Sequence, residues 1–343
     1  MTHAFAMKEI ALQAGVSLAT VDRVLHQRPG VRAATQRRVH QAQLELERQQ
    51  RQVGLKGRRF LIDLVMEAPL RFSRMVRDAL DGAMRRAHPA VFRVRDHLAE
   101  TITVSDMVDV MDAIARRGSH GVLLKAPDVP AVAEAAARLQ SLGIPVVTLV
   151  TDIRQTCRSA YVGLENRSAG RTAAYLMGQW LGATPAGILV SSSGQRFQGE
   201  GERIKAFVQA FETARPACGV RVLDAGQGLQ APTVAAVGRL LVRYSDVAAV
   251  YSVGGANAAI LAAFDRARRP CRVFIGHDLD DDNLALLRAG RLSAVLHHDL
   301  HHDLHMACLS VMQAHGAAPV AWASTRSSVE VITPFNLPAS FEA

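Results

Sequence analysis

Polar side chains recur in this 343-residue chain directly after short apolar runs. Parallel sheets bind ligands just beyond the carboxyl ends of their strands, so these side chains are the candidates for a binding site. Carboxylates, guanidinium groups and amides in one cleft suit a polyol, a sugar or a sugar acid, because each hydroxyl both donates and accepts hydrogen bonds. The arginines favour an anionic sugar. The candidate residues are Arg71, Phe72, Asp152, Arg196, Arg203, Gly254, Asn257, Asp278 and His298.

Some of these residues have a simpler interpretation. Asp278 ends an apolar run, where a carboxylate can also cap the next helix. Arg196 and Arg203 lie near a predicted helix start and could be solvated there. The sequence leaves both alternatives open.

A histidine-rich run occupies residues 296–305. His297, His301 and His305 share the i, i+4, i+8 spacing that places imidazoles on one helix face, as metal sites require. The run crosses a predicted strand end and helix start, so the first histidines are not expected to share that face. A ligand contact by His298 and a solvated or dimer-facing helix remain the other interpretations, and we assign no metal ligand.

Several classes of protein are disfavoured. The four cysteines are far apart, which argues against a disulfide framework or a zinc module. No nucleophile elbow, phosphate loop or paired-carboxylate motif is recognisable, so we expect no enzyme and no cofactor. The sequence lacks a signal peptide and an apolar run of about 18 residues, which predicts a cytoplasmic protein without a membrane partner.

The N-terminus has the pattern of a helix-turn-helix. Gly15 follows an apolar helical face, where a left-handed residue ends a helix, and Ser17 can cap the next one. Val21 and Val24 repeat at helical spacing and can pack on the first helix. Two short helices joined by a tight turn place the second helix in the DNA major groove. A plain helical hairpin is the alternative.

The charge is concentrated in the same region. Residues 1–59 carry eleven Lys or Arg and four Asp or Glu, which is +7 of the total formal charge of +9. A basic head on a nearly neutral body is typical of phosphate binding.

The chain divides by pattern into three parts. Residues 1–50 are predicted to be an all-α head with a third helix over 33–50, and 51–59 to be a polar linker. From 60 to 343, apolar runs alternate with helical stretches, which predicts two lobes of doubly wound parallel sheet. Predicted strands cover 60–66, 91–94, 121–124, 145–150, 186–190, 219–223, 247–251 and 271–276; predicted helices cover 72–87, 104–117 and 130–142.

The head resembles the start of the LacI/GalR family of transcription regulators in the segments 14–17, 19–21 and 23–25. The body is similar to the ribose-binding-protein type of sensor domain, a periplasmic-binding-protein-like fold, in the segments 144–149, 161–166, 251–255 and 275–278. The resemblance implies an effector site between two lobes, with Asp278 accepting ligand hydroxyls. It also implies that Leu18, Ala19 and Arg23 approach base edges. The full predicted DNA-binding set is Ser17, Leu18, Ala19, Thr20, Arg23, His26 and Arg37.

The chain departs from that family at three places. Asp22 and His26 stand where relatives usually have Ser and Asn. The Tyr-x-Pro-Asn segment and the hinge helix that wedges a leucine into the minor groove are missing, and Leu55 is the one apparent apolar candidate for such a wedge.

These observations predict a regulator that binds a double-stranded operator as a homodimer, or a tetramer, under control of a small sugar-like effector. Two other functions are compatible with the body alone. A solute-binding transport protein would share its fold, and a sugar-active enzyme could use its His and Asp residues.

Overall fold

The fold was analysed in a computed structural model. The structure describes residues 5–55, 57–154, 158–194, 196–225, 229–318, 326–338 and 341. Lys56 of the predicted linker and Cys157 lie outside these ranges, as does the side chain of Leu55.

The N-terminal head consists of three helices, α1 (Met7–Ala14), α2 (Leu18–Leu25) and α3 (Ala33–Leu55). Gly15 ends α1 in the left-handed region at φ +62°. Ile10, Val21 and Val39, one from each helix, are fully buried together. The three apolar stripes therefore close a small core of their own, and the predicted helix-turn-helix geometry is present.

The first lobe contains a six-stranded parallel sheet in the order β11-β5-β4-β3-β1-β2. Its strands are β1 (Arg59–Glu67), β2 (Val91–Ala99), β3 (Gly121–Lys125), β4 (Val146–Leu149), β5 (Ala160–Leu164) and β11 (Arg326–Ser327). Its helices are α4 (Leu70–Arg86), α5 (Val104–Arg117), α6 (Pro130–Ser141) and α12 (Leu300–Ala314). Helices α4 and α12 pack on one face, and α5 and α6 on the other.

The second lobe repeats this architecture with the strand order β12-β10-β9-β8-β6-β7. Its strands are β6 (Gly187–Ser192), β7 (Val220–Asp224), β8 (Val247–Ser252), β9 (Val273–His277), β10 (Ala294–His297) and β12 (Glu330–Ile332). Its helices are α7 (Asn166–Leu181), α8 (Gln198–Ala214), α9 (Gln230–Arg243), α10 (Asn257–Arg266) and α11 (Asp281–Arg288). Only β12, of the strands described, pairs antiparallel.

The chain crosses between the lobes three times. The first crossing joins β5 to α7, the second joins β10 to α12, and the third joins β11 to β12. Helix α12 follows a strand of the second lobe yet packs its Leu304 and Ala307 in the core of the first. These three short segments therefore connect the two lobes.

The eight predicted strands are present with ends shifted by a few residues. Strands β5, β11 and β12 were not predicted as strands, and β10 was expected only as a strand end at the start of the histidine-rich run. Helix α3 continues past its predicted end at Gln50 to Leu55. Gln and Arg are good helix formers, so a polar composition did not end the helix. The predicted linker 51–59 thus includes the last residues of α3. In the part of the chain described, no helix is long and apolar enough to span a bilayer.

Candidate functional site

A cavity of about 90 Å³ lies between the lobes, at the carboxyl ends of their strands. One buried water needs roughly 10–15 Å³ of such space, so the cavity suits a small molecule rather than a peptide or nucleic acid. Side chains of both lobes line it. Six of the nine candidate residues are among them, namely Arg71, Phe72, Arg196, Arg203, Gly254 and Asp278.

Two ion pairs span the cavity from one lobe to the other. Arg71 Nε on α4 lies 2.8 Å from Asp280 Oδ2, which precedes α11. Arg196 Nη1, beyond β6, lies 3.0 Å from Glu67 Oε1 at the end of β1. Burial raises the pKa of Glu67, and it raises the pKa of Asp280 to about 6. Both carboxylates are nearly inaccessible, so the arginines that reach across the cleft offset the cost of burying them.

Lys125 supplies a third cation at the end of β3. Its Nζ donates to the Glu67 carbonyl oxygen at 2.7 Å and lies 3.8 Å from the centre of the Phe197 ring. Burial lowers the pKa of Lys125 to about 8. An ammonium group held over an aromatic face at the cavity wall can donate to a ligand oxygen while the ring shields it from water.

The second lobe places Arg203 and Glu200 of α8 at the cavity. Arg203, which is buried, donates from Nε to Asn166 Oδ1 at 2.7 Å. Glu200 accepts from the Ser193 backbone at 2.8 Å and from its hydroxyl. Burial raises the pKa of Glu200. The Asn166 amide therefore orients the Arg203 guanidinium. Ser193, in the loop that follows β6, orients the Glu200 carboxylate.

Asp278 presents a carboxylate at the cavity wall. The helix that follows is capped by Asp280, whose carboxylate accepts from the Asn283 backbone at 2.8 Å, so the capping alternative for Asp278 is wrong. Asp278 lies at φ +61°, a strained conformation for a non-glycine residue, which is frequent at binding sites. Its Oδ1 has no hydrogen-bond partner within the described chain.

Three candidate residues lie outside the cavity wall. Asp152 accepts from Thr148 at 2.9 Å and pairs with Arg158 at 2.5 Å, beside a separate cavity. Asn257 is buried and donates to Asn283 at 2.7 Å. His298 is fully buried behind Asp278. Their effector contacts stay predictions.

Sequence reasoning missed several residues of the wall, among them Glu67, Glu200, Asp280 and His277. Glu67 and His277 are the last residues of β1 and β9, so extending the predicted strands by one residue would have included them. Burial lowers the pKa of His277 well below its usual value, which favours the neutral ring.

Two glycines allow the residues of the cavity wall to pack closely against one another. A Cβ on Gly254 would lie 2.2 Å from the Ser193 nitrogen. One on Gly255 would meet the Arg71 guanidinium at 2.6 Å, and Gly255 itself has φ +82°. Any side chain at Gly255 would displace the arginine that pairs with Asp280.

The histidine side chains of the run 296–305 do not meet at one site. His297 is buried on β10, where it accepts from the Leu279 backbone at 3.3 Å, and burial lowers its pKa to about 4. His301 instead lies beside Gly82 of α4. Among the residues described, no group of three His, Cys, Asp or Glu side chains is arranged to hold a metal ion.

The head exposes one face of α2. Ser17 caps this helix, with its hydroxyl accepting from the Thr20 backbone at 3.2 Å, and the two hydroxyls lie 2.9 Å apart. Leu18, Ala19 and Arg23 are exposed on the side away from the head's core. Arg37 of α3 is exposed as well. The predicted DNA-binding residues are thus available to a partner.

Asp22 is paired within the head. Arg28 donates to it at 2.8 Å, and His26 Nδ1 lies 3.0 Å from its other oxygen. These contacts tie the loop after α2 to the helix. The Arg28 guanidinium also offsets the negative charge of Asp22 on the recognition helix, which would reduce the repulsion of DNA phosphates.

Comparison with known proteins agrees with this architecture. Residues 6–47 match the model described as bacterial regulatory proteins, lacI family. Residues 76–315, about two thirds of the chain, match the periplasmic binding protein domain. The chain belongs to the periplasmic binding protein domain family and carries a lacI-type regulatory head. No match was found among curated proteins.

Solved structures resemble the binding-protein body. GanP, a glucose-galactose binding protein from Geobacillus stearothermophilus, is 17% identical, with 81% of this chain and 99% of that one covered at a TM-score of 0.70. A proposed LacI transcriptional regulator from Bacteroides fragilis is 18% identical, with 81% and 98% covered at 0.70. A solute-binding protein from Actinobacillus succinogenes with bound D-allose is 11% identical, with 80% and 98% covered at 0.68. At these identities the likeness shows the fold.

Proposed function

We propose that this lacI-type protein is a transcription regulator whose affinity for its operator is set by a small sugar-like effector bound between the lobes. The carrying observation is a cavity between the lobes, lined by charged side chains and bridged by ion pairs from both lobes, on the same chain as an exposed recognition helix. A ligand changes DNA binding only if it binds the two lobe arrangements with different affinity.

The cavity wall supports a polyhydroxylated ligand. Asp278 offers an unpaired acceptor, and Lys125 and Arg203 offer donors. Such alternation of acceptors and donors matches hydroxyl groups. Sugar-binding proteins among the structural neighbours have the same fold, which adds support for this ligand class.

The DNA partner would be a palindrome bound by a homodimer, since one head contacts few bases and two heads on successive half-sites add affinity. The residues that would contact the DNA phosphate backbone are Ser17, Thr20 and Arg37. Those that would contact base edges are Leu18, Ala19 and Arg23. Such a regulator acts in the cytoplasm, where the DNA is.

The first test is selection of genomic DNA fragments by the full-length protein. Enrichment of one palindromic sequence is the expected result, and recovery without any common sequence would contradict the proposal. A solute-binding protein or an enzyme with the same body would give that negative result.

The second test measures operator binding by fluorescence anisotropy with D-glucose, D-galactose, D-allose and their phosphate and carboxylate derivatives. The cognate effector should change the operator Kd by at least about 5-fold. Asp278→Asn should weaken that response, because the amide loses the negative charge and replaces one acceptor oxygen by an NH2 donor. Asp109→Asn, an exposed substitution on α5, serves as the matched control.

A further inference from the structure

The recognition helix α2 carries a carboxylate that neither helix stability nor attraction to DNA explains. Asp22 lies in the last turn of this helix. The carboxyl end of a helix has a partial negative charge that disfavours an acidic side chain, and Asp has a low helix propensity. Asp22 also lies one turn after the exposed Leu18, on the same side of the helix, where its charge would repel DNA phosphates. Its side-chain contacts supply the explanation.

Asp22 contacts the loop that follows α2. Its Oδ2 accepts a hydrogen bond from Arg28 Nη1 at 2.8 Å, and its Oδ1 lies 3.0 Å from His26 Nδ1. Both carboxylate oxygens are therefore engaged by nitrogen groups of the same chain segment. The side chain of Asp22 is 31% exposed and that of Arg28 is 60% exposed. The carboxylate thus restrains the Arg28 side chain without covering it.

The backbone of Arg28 is anchored to the same helix. Helix α2 ends in a Schellman motif, in which the Arg28 nitrogen donates to the Arg23 carbonyl at 2.7 Å and the Gln27 nitrogen donates to the Val24 carbonyl at 3.1 Å. Gln27 occupies the left-handed position of this motif, at φ +53°. The motif turns the chain back at the helix end, which brings Arg28 within reach of Asp22. Backbone and side chain of Arg28 are both held against α2.

A guanidinium held in this way can bind a second anion. It has five N–H groups, and the hydrogen bond to Asp22 uses one of them. Asp22 is the one side-chain partner of Arg28 among the residues that the structure describes. Arginine binds phosphate oxygens through paired N–H groups, and the exposure of Arg28 leaves it accessible for such a contact.

We propose that Asp22 is a positioning residue for DNA binding: it holds the Arg28 guanidinium beside α2, where the remaining N–H groups bind a phosphate of the DNA backbone. The inference rests on the proposed function, which supplies the DNA. The N-terminal residues of a recognition helix contact base edges, so its C-terminal end and the loop after it lie towards the DNA backbone.

Two effects of Asp22 on DNA binding oppose each other. Its charge repels phosphates, but exposed charges more than about 8 Å apart are largely screened at physiological ionic strength. Ordering a long side chain before binding removes an entropic cost that would otherwise oppose binding. We expect the ordering effect to be the larger one while Arg28 is present, and the repulsion alone to act when Arg28 is absent.

A double-mutant cycle of Asp22→Ala and Arg28→Ala separates the two effects. The probe is a fluorescein-labelled DNA duplex of random sequence, because phosphate contacts carry no sequence information. Fluorescence anisotropy measures its Kd with the full-length protein. Asp22→Ala should raise this Kd by roughly two- to fivefold, the range that an exposed ion pair supports, and Arg28→Ala should raise it as well. In the Arg28→Ala background, Asp22→Ala should leave the Kd unchanged or lower it.

The cycle distinguishes positioning from a structural role. If Asp22 only stabilised the head, its substitution would raise the Kd equally with and without Arg28. If it only repelled DNA, its substitution would lower the Kd in both backgrounds. Either result would overturn the proposal.

Two further variants complete the experiment. Asp22→Asn keeps an oxygen that can accept from Arg28 and removes the charge, so its Kd should lie below that of Asp22→Ala. An equal Kd for these two variants would contradict positioning through the hydrogen bond, and this comparison also decides the matter if Arg28→Ala fails to fold. The matched control is Asp109→Ala, which removes an exposed carboxylate from α5 in the first lobe and should leave the Kd unchanged.

Failure of the proposed function gives a different result. A wild-type protein that binds neither random duplexes nor any selected genomic fragment would contradict DNA binding, and the role of Asp22 with it. A wild-type protein that binds DNA, with independent effects of the two substitutions, would contradict the role of Asp22 alone.

Discussion

At the scale of single residues, the ionisation of Asp280 gives the cavity a pH dependence. Burial raises the pKa of Asp280 to about 6 from its usual 3.8. The folded protein therefore keeps this proton to higher pH than the unfolded chain, so the contribution of Asp280 to stability is full below about pH 4 and is lost as the pH rises through about 6.

Comparison with Asp280→Asn should isolate that titration, because Asn retains an oxygen to cap α11. The difference in unfolding free energy, wild type minus variant, should fall by about 1–3 kcal/mol between pH 4 and pH 7, as each pKa unit corresponds to about 1.36 kcal/mol. Urea unfolding at several pH values measures it. Asp281→Asn, an exposed change in the same turn, is the control, and a pH-independent difference for Asp280→Asn would disprove the assignment.

Arg23 and Arg37 should differ in their effects on DNA binding. Arg23, on the exposed face of α2, is predicted to pair with a guanine, so Arg23→Ala should reduce discrimination between operator and random DNA by about 1–3 kcal/mol. Arg37→Ala should weaken binding to operator and to random DNA by the same factor, because phosphate contacts carry no sequence information. Anisotropy titrations with both DNAs would reject this division if the two variants behaved identically.

At the scale of elements, the contact of α7 with α8 depends on one glycine. A Cβ at Gly170 would lie 2.2 Å from the Arg203 carbonyl oxygen, so the two helix backbones leave no room for a methyl group. Gly170→Ala should destabilise the protein by about 1–3 kcal/mol, as overpacking does, and displace Arg203 at the cavity.

The control lies on the same helix. Beyond the neighbouring backbone of its own helix, no atom of the described residues lies within 4 Å of a Cβ built at Gly178, so Gly178→Ala should be neutral or stabilising by up to about 1 kcal/mol. Urea unfolding of both variants tests the pair. Similar losses at both positions would mean that helix geometry, and not the contact with α8, explains the effect of Gly170.

Elements with a strong periodic signal were predictable, and short or purely tertiary features were not. The apolar run 121–124 was predicted as a strand, and it forms most of β3. Its residues are apolar because all of them are buried between two helix layers. Strands β11 and β12 have two and three residues, too few for any pattern. Asp278 was predicted because it follows a strand, whereas the pairing of Glu67 with Arg196 joins residues 129 positions apart and needs the assembled lobes. His298 was selected by type and position, but only the fold shows that it lies behind Asp278.

At the scale of the whole molecule, the charge distribution predicts how DNA binding depends on salt. Most of the formal charge of +9 lies in the first 59 residues, so phosphate contacts should come from the head. Each phosphate neutralised by a cation contributes about −0.9 to the slope of log K against log salt concentration.

The same slope reports how many heads engage one operator. If Arg37 contacts one phosphate per head, Arg37→Ala should make the slope less negative by about 0.9 for a single bound head and by about 1.8 for a dimer. Arg239→Ala, an exposed change on the second lobe, is the control and should leave the slope unchanged. Anisotropy titrations between 50 and roughly 200 mM salt cover the range over which such contacts lose most affinity. We expect the larger change, because two half-sites must be occupied together for a palindrome to be read, and the smaller change would contradict binding as a dimer.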